Sequence, residues 1–142
     1  MFVSTVRVLL ATVLAIAAVA CGGNDEDASP IGPTAPTTLT LDFSGTITRN
    51  GANTHPFTTD GGTVTATIME LAPDSAAIVG LTLGTWNGAA CQTIIANDRA
   101  TKGITVTGVA SGSGNLCVRV FDAAGTLTQP TDYVVSVVHP QR

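Results

Sequence analysis

From Thr37 onward apolar residues recur at every second position, and a period of two is the signature of β-strands. Leu39, Leu41, Phe43 and Ile47 alternate with Thr38, Thr40, Asp42, Ser44, Thr46 and Thr48. A strand sends successive side chains to opposite faces, so this segment has one apolar face and one hydroxyl face. Val64, Ala66 and Ile68 alternate in the same way with Thr63, Thr65 and Thr67. Met69 and Leu71 then carry the apolar character on the opposite parity, which predicts a bulge or a bend between sheets. Further strands are expected over Ala77–Leu83, Cys91–Ala96, Ile104–Val109, Leu116–Phe121 and Tyr133–His139. The last two are apolar on both parities, as central strands are.

Turn-forming residues separate these segments. Asn50-Gly51, Asp60-Gly61-Gly62, Pro73-Asp74, Asn87-Gly88, Asn97-Asp98, Ser111 to Gly114 and Gly125 recur along the chain. Gly, Asn and Asp tolerate the positive φ that tight turns require. The expected fold is therefore all-β: an antiparallel β-sandwich of seven to eight short strands over residues 37–142. The whole chain has 142 residues, 6 Lys+Arg and 10 Asp+Glu, a net charge of −4. An acidic chain without basic clusters argues against a nucleic-acid partner, because such binding rests on neutralising phosphates.

The first 20 residues differ from the rest. Arg7 precedes an uncharged run from Val8 to Ala20, and Cys21 follows. As a helix, 13 such residues span about 20 Å, short of the roughly 30 Å needed to cross a bilayer core. This is the anatomy of a signal peptide. Ala18-Val19-Ala20-Cys21 resembles the lipobox of bacterial lipoproteins, with Ala18 where that family prefers Leu. The resemblance implies that Cys21 is acylated, that it becomes the mature N-terminus, and that acyl chains hold the protein on a membrane. Gly22 rather than Asp after the cysteine implies the outer membrane where the cell has one. Residues 21–36, rich in Gly, acids and Pro, read as a lipid-anchored flexible linker.

Once Cys21 carries lipid, Cys91 and Cys117 remain. Export permits a disulfide between them, worth about 3.5 kcal/mol by chain-entropy arithmetic. Two buried free thiols are the alternative. No Cys-x-x-Cys redox spacing occurs, and two cysteines cannot complete a zinc tetrahedron. No metal or cofactor is expected.

The stretch Gly114-Asn115-Leu116-Cys117-Val118-Arg119-Val120-Phe121-Asp122, then Gly125-Thr126-Leu127 and Tyr133 to Val137, resembles the bacterial pre-peptidase C-terminal domain family. Leu116 stands where an aromatic is usual in that family. The resemblance implies a β-sandwich without catalysis, appended to secreted proteins and used for substrate or surface contact.

Few residues suggest chemistry. His55 precedes Pro56 in an expected loop, and His139 precedes Pro140 at the end of the last strand; both are expected to be exposed. No nucleophile elbow accompanies them. Asp42, Asp60, Glu70, Asp74, Asp98, Asp122 and Asp132 are scattered, with no Asp-x-Asp-x-Asp calcium loop. Trp86 and Asn87 form the candidate ligand contact, since an indole beside a turn can stack on a sugar or anchor a protein. The favoured reading of Trp86 itself is that it closes the end of the core beside a Cys91–Cys117 bridge, as a tryptophan does in immunoglobulin domains. Arg119 is expected in solvent or paired with a neighbour such as Asp132. Together these features predict a non-catalytic envelope module that contacts a protein or glycan. A structural or assembly lipoprotein without a ligand is the alternative, and a secreted hydrolase a third reading.

Overall fold

The computed structural model describes residues 36–141. The leader, Cys21 and nearly all of the linker therefore lie outside the described residues. Eight strands follow one another: β1 (Thr37–Ile47), β2 (Ala52–Thr59), β3 (Gly62–Ala72), β4 (Val79–Trp86), β5 (Cys91–Ala100), β6 (Thr105–Ala110), β7 (Gly114–Phe121) and β8 (Thr131–Gln141). They form two four-stranded sheets. Sheet A has the order β1-β8-β3-β6 and sheet B the order β2-β7-β4-β5. Every pairing is antiparallel. The expected all-β sandwich is what forms.

β7 and β8, apolar on both parities, each lie inside a sheet. The parity change in β3 is a bulge within one sheet: Ile68 pairs with Val135 and Glu70 with Val134, leaving Met69 unopposed. The core lies between the sheets. Sheet A supplies Val64, Ala66, Ile68, Val135 and Val137, and sheet B supplies Val79, Leu81, Leu83, Val118 and Val120. Removing such a side chain from water contributes about 1.5–3 kcal/mol each.

Two sequence expectations about the strands need correction. β2 was not anticipated, because His55-Pro56 reads as a loop. Pro56 is tolerated there because β2 is an end strand, where a missing N–H need not break a ladder. Asn97-Asp98 is not a turn; β5 continues to Ala100. Asn97 Oδ1 accepts the Arg99 N–H at 2.9 Å at a register shift between β4 and β5, so the side chain supports an irregularity within a strand. The turn falls instead at Lys102-Gly103, where Gly103 has φ 86°.

Turn residues also do not reveal the pairing. Among the described strands only β4 and β5, joined through Asn87-Gly88, are consecutive in one sheet. The other connections pass from sheet to sheet. Asp122 helps hold two of them together: its carboxylate accepts backbone N–H groups from Asn50, Thr126 and Leu127. Burial pushes its pKa up, but the backbone donors outweigh this and leave it below the ordinary value of 3.8.

Candidate functional site

The two histidines are neither looped nor exposed. His55 sits in β2, half-buried, on the parity that faces the other sheet. Its ring stacks on Phe43 at 4.9 Å between centroids. Its Nε2 lies 2.7 Å from the Tyr133 hydroxyl. Burial lowers the His55 pKa below 6.5 and raises that of Tyr133 above 10.0, the latter against an opposing hydrogen bond from Asn53. Gly45 makes this arrangement possible, since a Cβ there would lie 2.7 Å from the Tyr133 hydroxyl oxygen. His139 ends the inward row of β8, only 1% exposed, with its ring 5.3 Å from that of Phe57. These contacts use the histidines as polar members of the interior. Asn53 Nδ2 donates to the Thr46 carbonyl at 2.9 Å and completes the closure of the flank between β1 and β2.

Cys91 and Cys117 form a disulfide, with Cα atoms 5.8 Å apart. It joins β5 to β7 within sheet B, across the intervening β4. Gly84 pairs with Cys117 and has no room for a side chain, because a Cβ would come 2.1 Å from the Gln92 carbonyl oxygen. Cys117 alternates with the inward Val118, so the bridge lies on the exterior of sheet B rather than between the sheets. Trp86, half-buried, shares that exterior parity and pairs with Cys91. It is not part of the core, which corrects the core-closing reading. Asn87 is committed to its turn: Oδ1 accepts N–H groups from Ala89 at 2.9 Å and Ala90 at 2.8 Å. Arg119 does not meet Asp132. Its guanidinium lies 4.9 Å from the centre of the Phe121 ring, which itself covers Gly80.

The exterior of sheet A has a different chemistry. Register places Thr40, Val138, Thr65 and Thr107 in one row across four strands, and Asp42, Ser136, Thr67 and Thr105 in the next. Ser44, Val134 and Glu70 form a third row, and Thr46, Asp132 and Ala72 a fourth. Neighbouring strands stand about 4.8 Å apart, so this is a closely spaced polar lattice. The Thr67 and Thr105 hydroxyls are hydrogen-bonded at 2.8 Å, and Thr46 Oγ1 donates to Asp132. A hollow of about 370 Å³ is lined by Ser44, Thr46, Glu70 and Asp132 among others. No aromatic side chain and no cation stands in these rows. The described cations lie elsewhere: Arg49 in the β1–β2 turn, Arg99 in β5, Lys102 in the β5–β6 turn, and Arg119 on sheet B.

A second hollow, of about 390 Å³, opens between the end strands β5 and β6. Val64, Leu83, Ile95 and Leu116 line it, with the glycine- and serine-rich β6–β7 loop at its mouth. Ile94, left unopposed by a register shift, is 66% exposed at this flank, and Val109 is 80% exposed. Neither hollow is lined by His55 or His139. Among the described residues no group of three or more His, Cys, Asp or Glu is placed to hold a metal ion.

The lattice could be found only in part from sequence. The alternating threonines are visible, but not that β3 and β6 lie side by side. The β5–β6 groove has no sequence signal, because it depends on which strands end the sheets.

No protein-family model matches the chain, and no curated protein matches it. Among solved structures it is similar to the Yersinia pseudotuberculosis-derived mitogen, at 18% identity and a TM-score of 0.53, over 74% of this chain and 87% of that one. At this identity the likeness shows the fold alone. Looser matches are a periplasmic inhibitor of g-type lysozyme from Aeromonas hydrophila (15% identity, TM-score 0.44, 75% of this chain and 88% of that one) and an antigen and type I fimbria protein from Burkholderia pseudomallei (16%, 0.32, 76% and 100%).

Proposed function

We propose that the chain is an exported, lipid-anchored, non-catalytic binding module of the bacterial envelope. It presents the exterior of sheet A to a glycan bearing positively charged amino groups. The observation that carries this reading is the hydroxyl lattice, which contains Asp42, Glu70 and Asp132 but no cation. Hydroxyls and carboxylates in fixed rows match a ligand rich in hydroxyls and ammonium groups. Protein interfaces centre on aromatic residues and Arg, which these rows lack. The disulfide fits an oxidising compartment. The lipobox-like Ala18 to Cys21 and the resemblance to pre-peptidase C-terminal domains support tethering and a contact role. Both histidines are occupied with aromatic neighbours, which supports a role without hydrolysis.

The test is retention of the detergent-solubilised full chain on amino-sugar polymers with free or acetylated amines. Retention is expected on the free-amine polymer and should weaken with salt. The pair Asp42→Lys and Glu70→Lys should abolish it, while Trp86→Ala leaves it unchanged. Equal retention by the lysine pair would overturn the assignment of the face. Cys21→Ser should abolish palmitate labelling and release the protein from membranes; persistent labelling would place the acyl acceptor elsewhere.

A further inference from the structure

The tripeptide Asn-Gly-Ala occurs twice, at Asn50-Gly51-Ala52 and at Asn87-Gly88-Ala89. Asparagine before glycine is open to attack on its own side chain. The glycine nitrogen can reach the amide carbon, because no Cβ on the glycine obstructs the approach. Equal local sequence gives the two sites equal intrinsic reactivity, but the fold treats them differently. Gly51 is half-buried, and its N–H donates to the Thr48 carbonyl at 2.8 Å. The Asn50 N–H donates to the Asp122 carboxylate, and the Gly51 carbonyl accepts the Asp122 N–H at 2.9 Å. Asn50 Oδ1 sits so close to Gly125 that a Cβ there would lie 2.6 Å from it. The attacking nitrogen of this pair is engaged, and its turn is held from outside.

Asn87-Gly88 has the opposite setting. Both residues are exposed, and a Cβ added to Gly88 would meet nothing within 4 Å. The Gly88 N–H has no hydrogen-bond partner among the described residues. Asn87 Oδ1, in contrast, accepts N–H groups from Ala89 at 2.9 Å and Ala90 at 2.8 Å. Two backbone donors at that range polarise the carboxamide carbonyl. They also stand where negative charge on its oxygen would be stabilised, as the donors of an oxyanion hole do. We propose that Asn87 is a self-modification site, at which the β4–β5 turn promotes its own deamidation.

The Gly88 nitrogen gives its proton to hydroxide and bonds to Asn87 Cγ, and the displaced electron pair moves onto Oδ1, where the two donors meet it. The Cγ–Nδ2 bond then breaks, and Nδ2 leaves as ammonia with a proton from water. Water opens the resulting five-membered imide at one of its two carbonyl carbons, giving aspartate or isoaspartate. The net change is one water taken up and one ammonia released. Either product sets a new carboxylate beside Trp86 at the end of sheet B. In the isoaspartate the backbone runs through the former side chain, so the acceptor of the Ala89 and Ala90 N–H groups is displaced and the turn from β4 to β5 loses its brace.

The test is incubation of the detergent-solubilised full chain in neutral buffer, followed by peptide mapping with mass spectrometry that separates aspartate from isoaspartate. In the folded chain Asn87 is expected to convert about tenfold faster than Asn50, whereas in concentrated urea the two should convert at equal rates. Ala89→Pro removes one donor and should slow Asn87 by about tenfold, while Ala89→Ser keeps the donor and the parental rate. A slow Asn50 in the same digests reports that the fold persists. The proposal is overturned if Asn50 keeps pace with Asn87 in the folded chain, if their ratio there is no larger than in urea, or if folded Ala89→Pro converts Asn87 at the parental rate.

Discussion

The two flanks of the sandwich are closed by different means. Between β1 and β2, polar and aromatic side chains bridge the sheets: Phe43 on His55, His55 to Tyr133, and Asn53 to the Thr46 backbone. Between β5 and β6, Ile95 approaches Gly108, and beyond it a hollow remains open. The difference shows how a sandwich divides its edges. A flank whose polar and aromatic side chains meet across the sheets becomes part of the interior. A flank finished with glycine, valine and isoleucine leaves apolar surface and a backbone edge available.

The largest way to disturb this contrast is reduction of Cys91–Cys117, which fixes β5 and so one wall of the open flank. Stability should fall by about 3.5 kcal/mol, or roughly 15 °C in melting temperature. Hydrogen exchange should rise first in β5, and equal acceleration in β1 and β2 would show that the flanks are not independent. Next comes Asp122→Ala, which removes the acceptor of three backbone N–H groups and should cost about 2 kcal/mol. Its lowered pKa makes this contribution complete above the ordinary value of 3.8 and lost as pH falls through the folded value. Acid titration of stability should therefore be shallower in the variant.

A smaller effect, about 1 kcal/mol by chemical denaturation, is expected for Tyr133→Phe, which takes the hydroxyl from His55. His55 has its own pH signature. Its lowered pKa means that the unfolded chain takes up a proton first, so stability is complete above 6.5 and falls as pH drops below it. His55→Gln should flatten that slope, in a window distinct from that of Asp122. The smallest effect belongs to the open flank. Ile94→Asn and Val109→Lys should each change the stability of the domain by less than about 0.5 kcal/mol, because both side chains are already exposed.

Much of this architecture was legible because burial writes itself into sequence as periodicity. The alternation in β1 and β3, the bulge at Met69 and the double-faced apolar character of β7 and β8 all come from which side of a strand meets water. What resisted reading depends on relations between distant strands. Pro56 looks like a strand breaker until β2 is known to end a sheet. Asn97-Asp98 looks like a turn until the partner strand shows an irregular ladder. His55 and His139 look like solvent groups until Phe43, Tyr133 and Phe57 are seen beside them. The rows of sheet A exist only once β1, β8, β3 and β6 are set in order, and chain order does not supply that arrangement. Cys91–Cys117 was foreseen by counting, but its place on the outer side of sheet B, where the β5 backbone closes over Gly84, was not.

That placement gives the domain a front and a back. The cystine, Phe121 over Gly80 and Arg119 over Phe121 upholster the middle of sheet B with the chain's own atoms. Among the described residues nothing comparable covers sheet A. A fluorophore or surface linker attached on the sheet B side should therefore leave the proposed binding face untouched, whereas the same label among the threonines should block it.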